Sequence, residues 1–255
     1  MNKWKLNSGR ILFPVLIILL WELLYLAIGE SGLASPADTM KTLVSRWPDW
    51  LGNITATLRI LLISFVSAAL IGALLGFLIG LSSFWTETVT PIVLAVYSIP
   101  KIAIYPVFLV VFGLNDMSKI AFSFFHGFFP IFIICMEATR MIPKIYIKLS
   151  QAYRLTFPQK MIHVLIPSII PQLVVGLRLG FSLCFIGLIL GEMFASYKGI
   201  GTMLLHYSQT LDMSALFALF LIIVFVALFV TFLFVIWQEQ REQKIGKSLK
   251  LQQYS

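Results

Sequence analysis

Charged side chains fall inside long apolar stretches of this chain, among them Glu22, Lys101, Arg178 and Glu192. A charge in hydrocarbon is costly unless it meets a partner or water, so each is a candidate for lining or gating a path through a membrane. Arg178 and Glu192 are fourteen residues apart, close to four helical turns. Both lie near one helix face but ~21 Å apart along it, too far to pair with each other. Lys101 stands between Pro100 and Pro106. Prolines free backbone carbonyls, and such a break survives in a membrane only where the backbone is buried in protein or faces water. Pro100, Lys101, Arg178 and Glu192 are therefore assigned to a translocation path. Two structural readings stand beside this one: a plain kink at Pro100 with Lys101 stretched toward an interface, and Glu192 paired with Lys101 or neutralised by protonation.

The other chemistry on offer is recognition of a second protein. Arg140 to Pro171 is a basic interruption between apolar blocks, carrying Arg140, Lys144, Lys148, Arg154 and Lys160 with no acidic residue. Leu149, Ala152, Tyr153 and Phe157 recur at i, i+3, i+4 and i+8, the spacing that puts apolar side chains on one helix face. Thr156 and Gln159 stand three apart as in a capping box, with Pro158 in the first turn, where its missing N–H costs nothing. The stretch reads as a short amphipathic helix and a second helix meeting in an elbow, held out into water for a partner. Its charge also has a plainer explanation, retention of a basic loop on the cytoplasmic side.

Other chemistries lack residues. His126, His163 and His206 are too scattered for a metal site, and His126, amid phenylalanines, reads as a hydrogen-bonded packing residue. Cys135 and Cys184 lie in apolar runs and read as free thiols. No His/Asp/Glu or Ser/His constellation supports an embedded enzyme. Gly199-Ile200-Gly201 lacks a third glycine, and Gly246-Lys247-Ser248 has Arg241 where a phosphate loop needs glycine, so the chain binds no ATP by that route and no cofactor is indicated. The net charge of +8 sits in segments flanking apolar runs, which argues against nucleic acid.

The elements that position these residues are membrane helices. The chain is 59% hydrophobic and 12% charged, against about a quarter charged in soluble domains. Its apolar runs are continuous over the ~20 residues a helix needs to cross the hydrocarbon core, in place of the alternating strands of a barrel. Six spans are read, at about 11–29, 58–81, 90–113, 118–136, 171–194 and 216–237, as one all-α transmembrane bundle with a cytoplasmic loop at 140–170. The first is taken as a retained span because no small-residue cleavage site closes it. Between the first two, Ser35-Pro36-Ala37-Asp38 opens a short helix bearing Met40, Leu43, Trp47 and Trp50, read as lying on the outer surface. In the second span Ser64, Ala68, Gly72, Gly76 and Gly80 recur at every fourth residue, a ridge that lets backbones approach closely and places this helix at the centre of the bundle. Lys3, Lys5, Arg10, the five basic residues of the loop and Arg241, Lys244, Lys247 and Lys250 fall on one side. Lys41, Arg46, Lys119 and Lys198 fall on the other, so the positive-inside rule puts both termini in the cytoplasm.

The loop resembles the cytoplasmic loop of the inner-membrane permeases of ABC importers, whose signature is EAA, a Gly four residues on, and a closing I-x-L-P. Counting back from Pro167, Val164 stands for the Ile, Ile166 for the Leu, Arg154 for the Gly and Lys148-Leu149-Ser150 for EAA, so the end of the motif fits and its start departs. Glu137-Ala138-Thr139 is a decoy whose register fails. Leu33-Ala34-Ser35-Pro36, Ile99-Pro100-Lys101 with Pro106, Phe112-Gly113-Leu114, and Glu192 before Lys198-Gly199-Ile200-Gly201 resemble the nitrate, sulfonate and taurine permeases over essentially the whole chain.

The resemblance implies a type I ABC importer permease whose loop forms a coupling helix for a cytoplasmic ATPase subunit, through Leu149, Ala152, Tyr153, Arg154, Phe157 and Pro167. It also implies a solute-binding protein outside, a second permease copy or paralogue, and a small, anionic solute. The competing expectation is an ion-gradient-driven transporter or channel, with Glu22 or Glu192 as coupling acid.

Overall fold

The structure, a computed structural model, describes residues 3–29 and 32–252, with side chains over 12–29 and 32–240. The basic side chains of both termini therefore lie outside the described ones. Among the described residues every regular element is a helix.

In chain order these are α1 (Lys3–Ile28), α2 (Pro36–Gly80), α3 (Ser83–Ser98), α4 (Lys101–Phe112), α5 (Asp116–Arg140), α6 (Lys144–Ala152) and α7 (Phe157–Lys160). A single wide turn, Met161–Leu165, leads into α8 (Ile166–Ala195), followed by α9 (Ile200–Thr210) and α10 (Met213–Gln252). Four helical stretches are long and apolar enough to cross a membrane: α2, α5, Phe157–Ala195 and Met213–Gln240. The pair α3 and α4, bent by 91°, makes a fifth, and Leu12–Ile28 of α1 is a shorter apolar helix. By length the structure thus reaches four or five crossings, where the sequence reads six.

Two compact units are distinguished by their internal contacts. One comprises the chain up to Thr57 with Glu192–Phe225. In it Ser35 starts α2: its hydroxyl accepts from the Asp38 amide at 3.0 Å, and Pro36 takes the first helical position, where no N–H is needed. The Trp21 indole N–H donates to the Ala34 carbonyl at 2.9 Å. The expected short outer helix is the beginning of α2, which runs without a break through Pro48 and Gly52. Trp50, expected at a membrane interface, is 2% exposed and donates to the Tyr207 hydroxyl at 3.2 Å.

The second unit comprises Leu58–Gly191 and the chain from Val226 on. Its centre is α5, with 56% of its most apolar stretch buried against 39% for α2, which corrects the expectation that the second span is central. The glycine ridge explains the difference, because it presses on α5. A Cβ on Gly72 would stand 3.2 Å from Ile131, one on Gly76 2.5 Å from the Phe132 carbonyl oxygen, and one on Gly80 2.6 Å from that of Met136. From its other side α5 receives a second small-residue series: Gly176 faces Ile134, Gly180 faces Ile131 and Gly127, and Gly187 faces His126. His126 is the packing residue expected, buried with its ring nitrogen 3.0 Å from the Phe122 carbonyl and its ring edge-on to Phe122.

Candidate functional site

The elbow is built from two helix ends. At the end of α6, Arg154 takes the left-handed conformation (φ +49°), its N–H donates to the Gln151 carbonyl at 2.9 Å, and the Leu155 N–H reaches back to the Ser150 carbonyl at 2.9 Å. That pair of bonds is the Schellman closure, in which glycine usually holds the left-handed position. Arg154 is the residue that stands at the family signature's glycine, so the substitution keeps the turn and accepts a left-handed arginine. Arg154→Gly is expected to be neutral to stabilising, by up to about 1 kcal/mol, and Arg154→Val destabilising by a similar amount. Thermal melts of the three proteins test the order, and a Val variant melting above the Gly variant would refute the closure.

Two residues on, the Thr156 N–H donates to the Gln159 side-chain oxygen at 2.9 Å and Pro158 sits in the first turn of α7, the start the sequence indicates. The helix break falls at Tyr153 to Thr156, so Phe157 belongs to α7 and not to the helix of Leu149, Ala152 and Tyr153. Leu149, Ala152, Tyr153, Arg154, Phe157 and Pro167 are all exposed, Tyr153 at 77% and Phe157 at 69%. Inside the elbow lies a cleft of about 540 Å³ lined by Tyr146, Leu149, Tyr153 and Leu155 on one wall and by His163, Val164 and Pro167 on the other. Two residues of the closing signature, Val164 and Pro167, thus face the end of α6 across this cleft.

The four path candidates are not brought together. Pro100 forms the 91° break: Ile99 before it is extended (ψ 133°), as a residue preceding proline prefers, whereas Pro106 stays inside α4. Lys101 then satisfies the end of α3, its ammonium donating to the Tyr97 carbonyl at 3.1 Å and lying 4.0 Å from the centre of the Tyr97 ring. Arg178 is half-buried on α8, and among the described residues it has no ion-pair partner.

Glu192 is 1% exposed. Its carboxylate accepts from the Thr57 hydroxyl at 2.8 and 3.0 Å and from the Gly201 N–H at 2.9 Å. Thr57 in turn accepts from the Ile200 N–H at 2.8 Å, Asn53 accepts from the Gly199 N–H at 2.9 Å, and the Thr202 hydroxyl donates to the Glu192 backbone carbonyl at 3.1 Å. The acid thereby sits at the N-terminus of α9, where the helix's free amides and dipole favour a negative group. Thr57 and Asn53 were not legible as site residues: Asn53 opens only the short sequon Asn53-Ile54-Thr55, and Thr57 stands in no motif.

Residues 68–247 match the family of binding-protein-dependent transport system inner membrane components. SsuC of Bacillus subtilis, named for aliphatic sulfonates transport, is 26% identical over 82% of this chain and 77% of its own length. ThiX of Halalkalibacterium halodurans, a formylaminopyrimidine transport permease, is 30% identical over 74% of this chain and 77% of its own. Among solved structures, the inward-facing MetNI methionine ABC transporter shares the fold, with a TM-score of 0.56 at 19% identity over 70% of this chain and 93% of that one. The chain belongs to the binding-protein-dependent transport system inner membrane component family, as an ABC importer permease of the nitrate, sulfonate and taurine subfamily.

Proposed function

We propose that this permease docks its cytoplasmic ATPase through the α6 elbow, receives solute from a binding protein on the outer side, and completes its pathway with a second permease, either a copy of itself or a paralogue. The observation that carries the docking is the elbow itself. A helix of nine residues, too short to cross a bilayer, presents exposed Ile145, Leu149 and Tyr153 among exposed Lys144, Lys148 and Arg154. That combination suits a protein cleft better than lipid, and Phe157 and Pro167 extend it. Both termini lie on the same cytoplasmic side, by the basic-residue asymmetry, and lipid covers the outward faces of the bundle.

Binding of ATP closes the paired ATPases, and the elbow carries that movement into the bundle, which alternates between two discrete arrangements. Of the path candidates, Arg178 and Pro100 are the two available to a solute. Lys101 and Glu192 have structural employment, as a helix-end cap and a helix-start acceptor. The solute is small. SsuC's name supports an anion and ThiX's does not, and the choice rests with the binding protein.

Purification of the tagged chain from its host in mild detergent tests the reading, with a photo-crosslinker in place of Leu149. The expected result is a stoichiometric P-loop ATPase, joined to position 149 on irradiation. A chain that purifies without an ATPase in several detergents would overturn it.

A further inference from the structure

The four residues Arg46, Trp50, Asn53 and Thr57 follow one another at spacings of four, three and four, which places them on a single stripe of α2. Each bonds to the segment from Glu192 to Asp212. Arg46 pairs with Asp212 at 2.8 Å, Trp50 donates to Tyr207, Asn53 takes the Gly199 amide, and Thr57 bridges the Ile200 amide and the Glu192 carboxylate. The stripe reads along α9 from end to end, and two of its members, Trp50 and Thr57, are closed from solvent. Gly199 fits there because its φ is +124° and because a Cβ would collide with the Glu192 carboxylate.

From this geometry we infer that Glu192 is a positioning residue for transport: the pin by which α8 holds α9 against α2, so that α9 follows α8 when the importer changes state. Glu192 lies on the same helix as Pro167, twenty-five residues further along, so a displacement received at the elbow has an unbroken helix to travel. The proposal relies on the docking at α6 only for the origin of that displacement. Its own content is that a carboxyl group, accepting from Thr57 and Gly201 at once, is what keeps the α9 start in place. A neutral amide of the same shape can keep an acceptor toward the Gly201 N–H, but it then puts an NH2 where Oε1 accepts from Thr57, so that hydroxyl faces a donor in place of an acceptor.

The test uses the intact importer carrying Glu192→Gln, Thr57→Val or Thr57→Ser. For Glu192→Gln and Thr57→Val, the expected result is a maximal uptake rate at least tenfold lower with little change in the solute concentration giving half-maximal uptake. Amide hydrogen exchange is at least tenfold faster at residues 199–202, and exchange in α5 and co-purification of the ATPase are unchanged. Thr57→Ser, which keeps the hydroxyl, restores both. Loss of the ATPase would instead be a failure of the docking reading. Should Glu192→Gln not accumulate, the Thr57 pair gives the same comparison. Normal uptake, or unaltered exchange at 199–202, in Thr57→Val would overturn the pin.

Discussion

Gly76→Leu is expected to cost the chain about 3 kcal/mol or more and to lower its melting temperature in detergent by roughly 6–12 °C. The reason lies in what surrounds this position. A Cβ would stand 2.5 Å from the Phe132 carbonyl oxygen, 2.9 Å from the Cys135 Cβ and 3.1 Å from the Met136 amide nitrogen. Two of those atoms are backbone, so no side-chain rotation relieves the clash and α2 must withdraw from α5. In lipid the loss is compounded, since association of these helices rests on close packing and not on escape from water. Gly52 is the internal control: nothing lies within 4 Å of its added Cβ, so Gly52→Leu should leave the melt unchanged. A Gly76→Leu protein that melts like the parent would show that the two helices are not in this contact.

Tyr153→Asp is expected to abolish co-purification of the ATPase while leaving the permease folded. Tyr153 ends α6 with its side chain 77% exposed, and its part in the fold is a backbone bond, from its N–H to the Leu149 carbonyl at 3.0 Å. Truncating an aromatic anchor in an interface costs about 2 kcal/mol or more, roughly thirtyfold in affinity, and a carboxylate adds its own desolvation. Gln151→Asp places the same charge on the opposite side of α6 and should cost much less. Equal loss from both variants would mean that net charge, and not the apolar face, governs docking; no loss from Tyr153→Asp would remove α6 from the interface.

The parts of this architecture that were legible in the sequence are those set by short-range pattern. The glycine ridge at Gly72, Gly76 and Gly80 is a four-residue period, and the elbow has its capping residues at Thr156 and Gln159 in plain order. What escaped was decided by contacts distant in the chain. Pro48 and Gly52 look like breakers, yet α2 passes through both, in a stretch where Trp50 and Asn53 are fastened to partners about 150 residues away. The helix α9 has no side-chain cap of its own at Gly199; its start is held by an acid on the preceding helix, so Ile200 to Thr210 reads as loop until Glu192 is in place. Pro100 and Pro106 look alike on paper, but the break is at Pro100, where the side chain of Lys101 takes up the Tyr97 carbonyl.

The two small-residue contacts on α5 have different consequences for genetics. At Gly76 the obstacle is a carbonyl oxygen of residue 132, which every amino acid possesses, so no substitution at 132 can suppress a larger residue at 76. At Gly180 the nearest atoms in the way are Cγ1 and Cδ1 of Ile131, which a shorter side chain lacks, with the Gly127 carbonyl oxygen next at 3.0 Å. A selection for revertants should therefore return second-site changes at Ile131 for Gly180→Ala, and true reversion alone for Gly76. Gly180 can drift by compensation at Ile131; Gly76 is held by the shape of the polypeptide itself.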